Sequence, residues 1–233
     1  TKKARKEAEE QLAMEKLTKL ADTLKGLAEQ EDKLVTETTD YNKKAADNKA
    51  ADNKALTPTQ RASVRALGRV QSALKQETGD IADRLAEDAP VFSLTLKRAA
   101  ASMDTAGTRL SKIQTDTVTQ AAERSAARRF RQLLDAMKPE PPGPGQKGGG
   151  GGEGGGGGGD GDNLTTAAQL KMLKMLQQDV NERTEALDDL RARDKPLSPE
   201  QEAELAQLQR DEAGIVDIAR DLVRPAHDDG EED

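Results

Sequence analysis

Residues 17–41 read LTKLADTLKGLAEQEDKLVTETTDY. Leu17, Leu20, Leu24, Leu27, Glu31, Leu34, Thr38 and Tyr41 recur at spacings of 3, 4, 3, 4, 3, 4 and 3. That is the a/d seam of a heptad: one narrow stripe of a helix turned toward another helix. The same kind of stripe returns along the chain. Val64, Leu67, Leu74, Ile81 and Leu85 mark a second helical segment, and Phe92, Leu96, Ala99, Met103, Ala106, Leu110 and Ile113 a third. Ala122, Ala126, Phe130, Leu133 and Met137 mark a fourth, with Thr117 expected as its cap and Gln120 three residues on. Leu173, Leu176, Val180, Leu187 and Leu190 mark a fifth, and Leu205, Leu208, Ile215, Ala219 and Leu222 a sixth. No stretch alternates with period two, so no sheet is expected. Polar seam residues (Glu31, Gln71, Glu212) are expected to set register at some cost in stability.

Between the first two segments lies AADNKAADNK (residues 45–54), a five-residue unit written twice. Ala and Lys favour helix there and Asp and Asn oppose it, so a fraying end or a long connection is expected. Beyond it, LTPTQ (residues 56–60) is echoed by LSPEQ (residues 197–201). Thr57 or Ser198 reads as an N-cap, Pro as the first helical residue, and Gln60 or Gln201 as the third, closing a capping box. Leu56 or Leu197 precedes the cap, where it can act as a hydrophobic staple. A Ser/Thr-Pro phosphosite fits two letters of the motif; the cap fits all of them. A shift of 141 residues also superposes Val64 on Leu205, Leu67 on Leu208, Gln71 on Glu212, Leu74 on Ile215 and Ile81 on Leu222. The chain therefore reads as one helical hairpin used twice.

Composition agrees with seams and not with a thick interior. Of 233 residues, 34% are hydrophobic and 34% charged, and the only aromatics are one Tyr and two Phe. The net charge of −7 weakens a nucleic-acid reading, because phosphate binding needs a positive field. Residues 139–163, PEPPGPGQKGGGGGEGGGGGGDGDN, hold 4 of the 9 prolines and 14 of the 20 glycines. They bury nothing and lack the GK[ST] ending of a phosphate loop, so a flexible linker is expected. No run approaches a bilayer span. The first residue is Thr1, and TKKARKEAEEQLAMEKL reads as the middle of a charged helix, so a piece of a longer chain is expected.

With no Cys and a single His, His227, neither a His/Cys metal site nor a Cys- or His-centred catalytic pair can be built. Carboxylates are many, but they lie among Lys and Arg at helical spacing, where pairing and solvation account for them. Nothing singles out an acid/base pair. Arg124, Arg128 and Arg131, with Arg129 beside them, form the one basic cluster, a candidate face for an acidic protein or a lipid surface. No catalytic, metal-ligating or cofactor-binding residue is expected.

Taken in succession, GLAEQEDKLVTET, LTPTQRASVRALGRVQSALKQETGDIADRL, PVFSLTLKRAAASMDTAGTRL, QAAERSAARRFRQLLDAMKPE, the glycine linker, LKMLKMLQQDVNERTEAL and LSPEQEAELAQLQRDEAGIVDIARDLV resemble uncharacterised helical proteins of planctomycete-like bacteria. They are similar to the C-terminal part of DUF4175-type bacterial membrane proteins. The resemblance spans roughly residues 17–224 and implies an envelope setting, with a membrane-associated or exported region upstream and no catalytic residues.

The expectation is an all-α chain of helical hairpins in a coiled-coil-like bundle. It comprises a four-segment region at 1–138, a disordered Pro/Gly-rich linker at 139–163, a helical hairpin at 164–225 and an acidic disordered tail at 226–233. Its expected role is a non-enzymatic scaffold or protein-interaction region, binding a protein partner or itself through the Leu/Ala seams. It is expected to use no nucleic acid, small-molecule substrate or cofactor, and to meet a membrane only through a segment outside this sequence. The alternative is a regulatory module docking an acidic partner or membrane through the basic face around Arg128.

Overall fold

The computed structural model of the chain describes residues 2–52, 56–138, 166–192 and 196–223. They form six helices: α1 (Lys2–Asp52), α2 (Pro58–Arg84), α3 (Pro90–Ser111), α4 (Thr117–Met137), α5 (Thr166–Ala192) and α6 (Pro199–Val223). The fold is all-α, with no strand among the described residues. The expected linker, the acidic tail and His227 lie outside the described residues. The chain divides into two compact units, one ending at Gln169 and the other beginning at Leu170.

In the first unit, α1 to α4 run up, down, up and down. The cross-links give the directions. Glu31 on α1 meets Gln71 on α2, while Asn48 further along α1 reaches Gln60 near the start of α2, at 3.1 Å. Lys97 of α3 pairs with Asp83 of α2, and Asp104 with Lys75 (2.6 Å). Ser102 of α3 meets Arg129 of α4, and Asp32 and Thr38 of α1 meet Arg131 and Glu123 of α4. Each pair rises along one helix and falls along the next, so the ring of four closes in the topology of an antiparallel bundle.

The seams supply the core. Leu24, Leu27 and Leu34 of α1, Val64, Leu74 and Ile81 of α2, Phe92, Leu96, Ala99, Met103, Ala106 and Leu110 of α3, and Ala126, Phe130 and Leu133 of α4 are all buried. α2 and α3 approach closely through glycines. A Cβ placed on Gly68 would stand 3.2 Å from the Gly107 carbonyl oxygen and 3.2 Å from the Ser111 nitrogen.

Four local expectations are corrected. Over its described part, residues 45–52, the AADNK repeat stays helical: α1 continues to Asp52, and Asn53 and Lys54 lie outside the described residues. Its alanines and lysines outweigh the Asp and Asn, and the Asn48 amide is held by Gln60. The cap of α4 is Asp116, not Thr117; its carboxylate accepts from the Thr119 N–H at 3.2 Å. Gln120 instead donates back to the Thr115 carbonyl at 2.9 Å, because the helix starts one residue earlier in the capping frame than the Thr-based box requires. Ile113 does not extend the third seam. It lies beyond the end of α3 at φ 62°. Finally, the α4 stripe runs through Glu123, which is buried, rather than through half-buried Ala122.

In the second unit α5 and α6 are antiparallel. Arg183 bonds Glu204 at 2.8 Å, and Gln177 donates to Glu212 at 2.9 Å. Leu176, Val180, Leu187, Leu208 and Ile215 are buried, with Leu173, Leu205 and Leu222 half-buried at the margins.

Candidate functional site

Both helix-start motifs close reciprocal boxes. The Thr57 N–H donates to Gln60 Oε1 at 2.8 Å while the Gln60 N–H donates to Thr57 Oγ1 at 3.2 Å. In the other unit the Ser198 N–H donates to Gln201 Oε1 at 2.8 Å and the Gln201 N–H to Ser198 Oγ at 3.3 Å. Leu56 is buried beside its cap; Leu197 is half-buried. In these positions the four residues hold helix ends: their hydroxyl and amide oxygens accept from backbone N–H groups, and Gln60 Oε1 also accepts from Asn48.

Arg124, Arg128 and Arg131 share the exposed side of α4. They are engaged within the bundle: Arg124 donates to Gln120 Oε1 at 3.1 Å, Arg131 pairs with Asp32 of α1, and Arg128 also makes an interaction. Arg129 points inward, is buried, and bonds Ser125 and Ser102.

The chemically distinctive feature is inside the first unit. Glu31 and Glu123 have no exposed surface, nor have Gln71, Thr38 and Thr78. Gln71 Nε2 donates to Glu31 Oε1, and Thr38 Oγ1 donates to Glu123 Oε1 at 2.7 Å. The second oxygen of each carboxyl, Glu31 Oε2 and Glu123 Oε2, has no hydrogen-bond partner, and neither has Gln71 Oε1. Burial pushes the Glu31 carboxyl up to about 8, against the Gln71 hydrogen bond and with help from the negative charges of Glu123 and Asp32. Burial likewise raises Glu123 to about 7, opposed by Thr38 and by the Arg124 charge. Displaced carboxyls of this kind often mark catalytic sites. Here both carboxyls lie between packed helices, without exposed surface.

Sequence reasoning placed Glu31 and Gln71 on seams and passed over Glu123. The signal was present: Glu123, Ala126, Phe130, Leu133 and Met137 keep spacings of 3, 4, 3 and 4. The neighbouring Ala122 looked the better core residue only because it is apolar.

Two surfaces remain. Between α5 and α6 lies an open groove of about 480 Å³, with Val180, Leu205 and Leu208 below and Asn181, Glu185 and Glu212 at its edge. On α1, no described side chain of residues 11–23 is buried; burial begins at Leu24. Leu12 is 53% exposed and Met14 67%. Among the described residues there is no group of three or more metal-ligating side chains and no helix long and apolar enough to cross a membrane. No protein-family model, curated protein or solved structure matches the chain.

Proposed function

We propose that this chain is a non-enzymatic, coiled-coil-like interaction or scaffold region of a larger, envelope-associated bacterial protein, and that the early part of α1 is its working surface. The observation that supports this most is the change along one seam. Leu24, Leu27 and Leu34 are buried, whereas Leu17 and Leu20, in the same heptad register, are half-exposed. Isolated exposed apolar side chains are ordinary. A heptad stripe that runs on past its buried portion is half of a helix–helix contact. The partner is a helix with a matching stripe, a second copy of the chain being the first to test. On the same reading the two capped starts belong to one hairpin used on either side of the glycine-rich tether.

Sedimentation equilibrium tests the proposal. The chain is expected to show a concentration-dependent dimer, and L17E combined with L20E is expected to return it to monomer with helix content and melting temperature kept. A monomer at all concentrations into the hundreds of micromolar would remove self-association as the function. So would a dimer indifferent to the double variant.

A further inference from the structure

We propose that Glu31 and Gln71 form a cyclic acid–amide clasp, in which Glu31 keeps its proton and donates it from Oε2 to Gln71 Oε1, and that loss of this proton at alkaline pH loosens α1 from α2. The inference starts from unmet bonding. Within one fully buried pair, Gln71 Nε2 already donates to Glu31 Oε1, leaving one acceptor on each partner, Glu31 Oε2 and Gln71 Oε1, without a donor. An ionised carboxylate has no hydrogen to offer, so ionisation leaves two buried acceptors without a donor. One proton on Oε2 meets both needs. A carboxylic acid and a primary amide then match in the way two amides do, donor to acceptor on each side.

The surroundings do not supply a counter-charge. On α1 itself the adjacent group is Asp32, a second negative charge, which is paired outward with Arg131 of α4. From α4 the facing group is Glu123, again negative when ionised, bonded to Thr38 and influenced by Arg124. From α2 the facing group is the neutral Gln71 amide. From α3 comes Gly107, where a Cβ would stand 3.6 Å from Gln71 Cβ; the α3 charges Lys97, Asp104 and Arg109 pair with Asp83, Lys75 and Asp116. Both charges that act on Glu31, those of Glu123 and Asp32, therefore favour the proton. The upward displacement of Glu31 to about 8 agrees with this and places the transition just above neutrality. The clasp stands apart from the partner reading of the α1 arm and concerns the bundle alone.

Two measurements on the full chain test it. In a carbon-13 titration of the glutamate side chains, the late-titrating resonance that persists in E123Q belongs to Glu31. It is expected to move near pH 8, together with the Gln71 side-chain amide signal. Because the sequence has no cysteine, E29C and R69C introduce two labelling sites on exposed positions of α1 and α2. The label-to-label distance distribution is expected to broaden between pH 6 and pH 9.5, and to stay narrow at both in E31Q, where two amides make the same cyclic pair without a titrating proton. A Glu31 resonance titrating in the ordinary carboxylate range overturns the proposal, as does a Gln71 amide indifferent to it. The same holds for a distance distribution that is equally narrow at both pH values, or that broadens in E31Q as it does without the substitution. Should E31Q not fold, the titration of the unmodified and E123Q chains decides alone.

Discussion

Ile113 is the non-glycine residue with positive φ among those described, at 62°. Its setting explains why. Lys112 caps α3, the Ile113 N–H reaches the Leu110 carbonyl at 2.9 Å, and the Gln114 N–H reaches the Arg109 carbonyl at 2.9 Å. These are the two bonds of a Schellman ending, whose left-handed position normally takes Gly. A β-branched residue there costs about 1–2 kcal/mol in backbone strain. Its half-buried side chain returns roughly 1 kcal/mol. Ile113→Gly should therefore change stability by less than about 1 kcal/mol, whereas Ile81→Gly, at a 3% exposed helical position, should cost well over about 3 kcal/mol. Urea unfolding of the two variants decides, and equal losses would remove the strain argument. The opposite case is Thr57. Its role was legible in five letters, because a cap, a proline and a Gln three residues on act within one turn of helix. Thr57→Ala should cost about 1 kcal/mol in the same assay. Ile113 gave no such signal: its type continues a seam, and only the chain's need to turn back toward α4 puts it in the left-handed region.

At the scale of elements, glycines separate helix propensity from helix contact. Gly26, Gly79, Gly68 and Gly107 all lie within helices, where Ala is better by about 1 kcal/mol. A Cβ on Gly26 or Gly79 would meet nothing within 4 Å, and one on Gly107 would make ordinary contacts at 3.4 to 3.6 Å. A Cβ on Gly68 would press on backbone of the last turn of α3 at 3.2 Å and on Leu110 Cβ at 3.3 Å, and helix backbone yields less than the end of a flexible side chain. Ala at position 26, 79 or 107 should raise the unfolding free energy, by up to about 1 kcal/mol each. Ala at Gly68 should lower it, with the α2–α3 spacing widened by a few tenths of an ångström. A stabilising Gly68→Ala would show that the two helices are not held together there. The stripes of α2 and α3 were readable because apolar residues recur at helical spacing along each helix, interrupted on α2 by Gln71 and Thr78. The closeness of α2 to α3 was not, since a lone Gly in a helix reads as a weak point until its neighbour is known. The length of α1 was misjudged for a related reason: AADNK weakens a helix locally, but a helix already held along Leu24–Thr38 and tied again at Asn48 carries it along.

For the whole molecule the decisive quantity is the proton balance of the bundle. Glu31 and Glu123 bind protons more tightly folded than unfolded, with values of about 8 and about 7 against 4.5 in the open chain. Their contribution is therefore complete below about pH 4.5 and is lost as the pH rises, through about 7 for Glu123 and about 8 for Glu31. Asp116 works the other way. Partial burial raises its carboxyl, but hydrogen bonds from Arg109 and from the Thr119 N–H, with the Arg109 charge, hold it lower on balance. Its contribution is present above its open-chain value of 3.8 and is lost as the pH falls through its lower folded value. Stability should consequently peak at mildly acid pH, between about 4 and 5, and decline toward pH 8.5. Each displaced pH unit is equivalent to about 1.4 kcal/mol. Most soluble domains are most stable nearer neutrality, and an acid optimum in a chain of net charge −7 also coincides with relief of self-repulsion. The two causes separate by substitution. If the buried pair is responsible, urea midpoints of E31Q and E123Q measured from pH 4.5 to pH 9 should each be flatter than those of the unmodified chain. If general repulsion is responsible, 0.5 M salt should flatten the unmodified profile, and surface replacements such as E29Q and E37Q should do as much as E31Q. Buried groups are screened far less than exposed ones, so the profile is expected to survive the salt and to disappear only with the two glutamates.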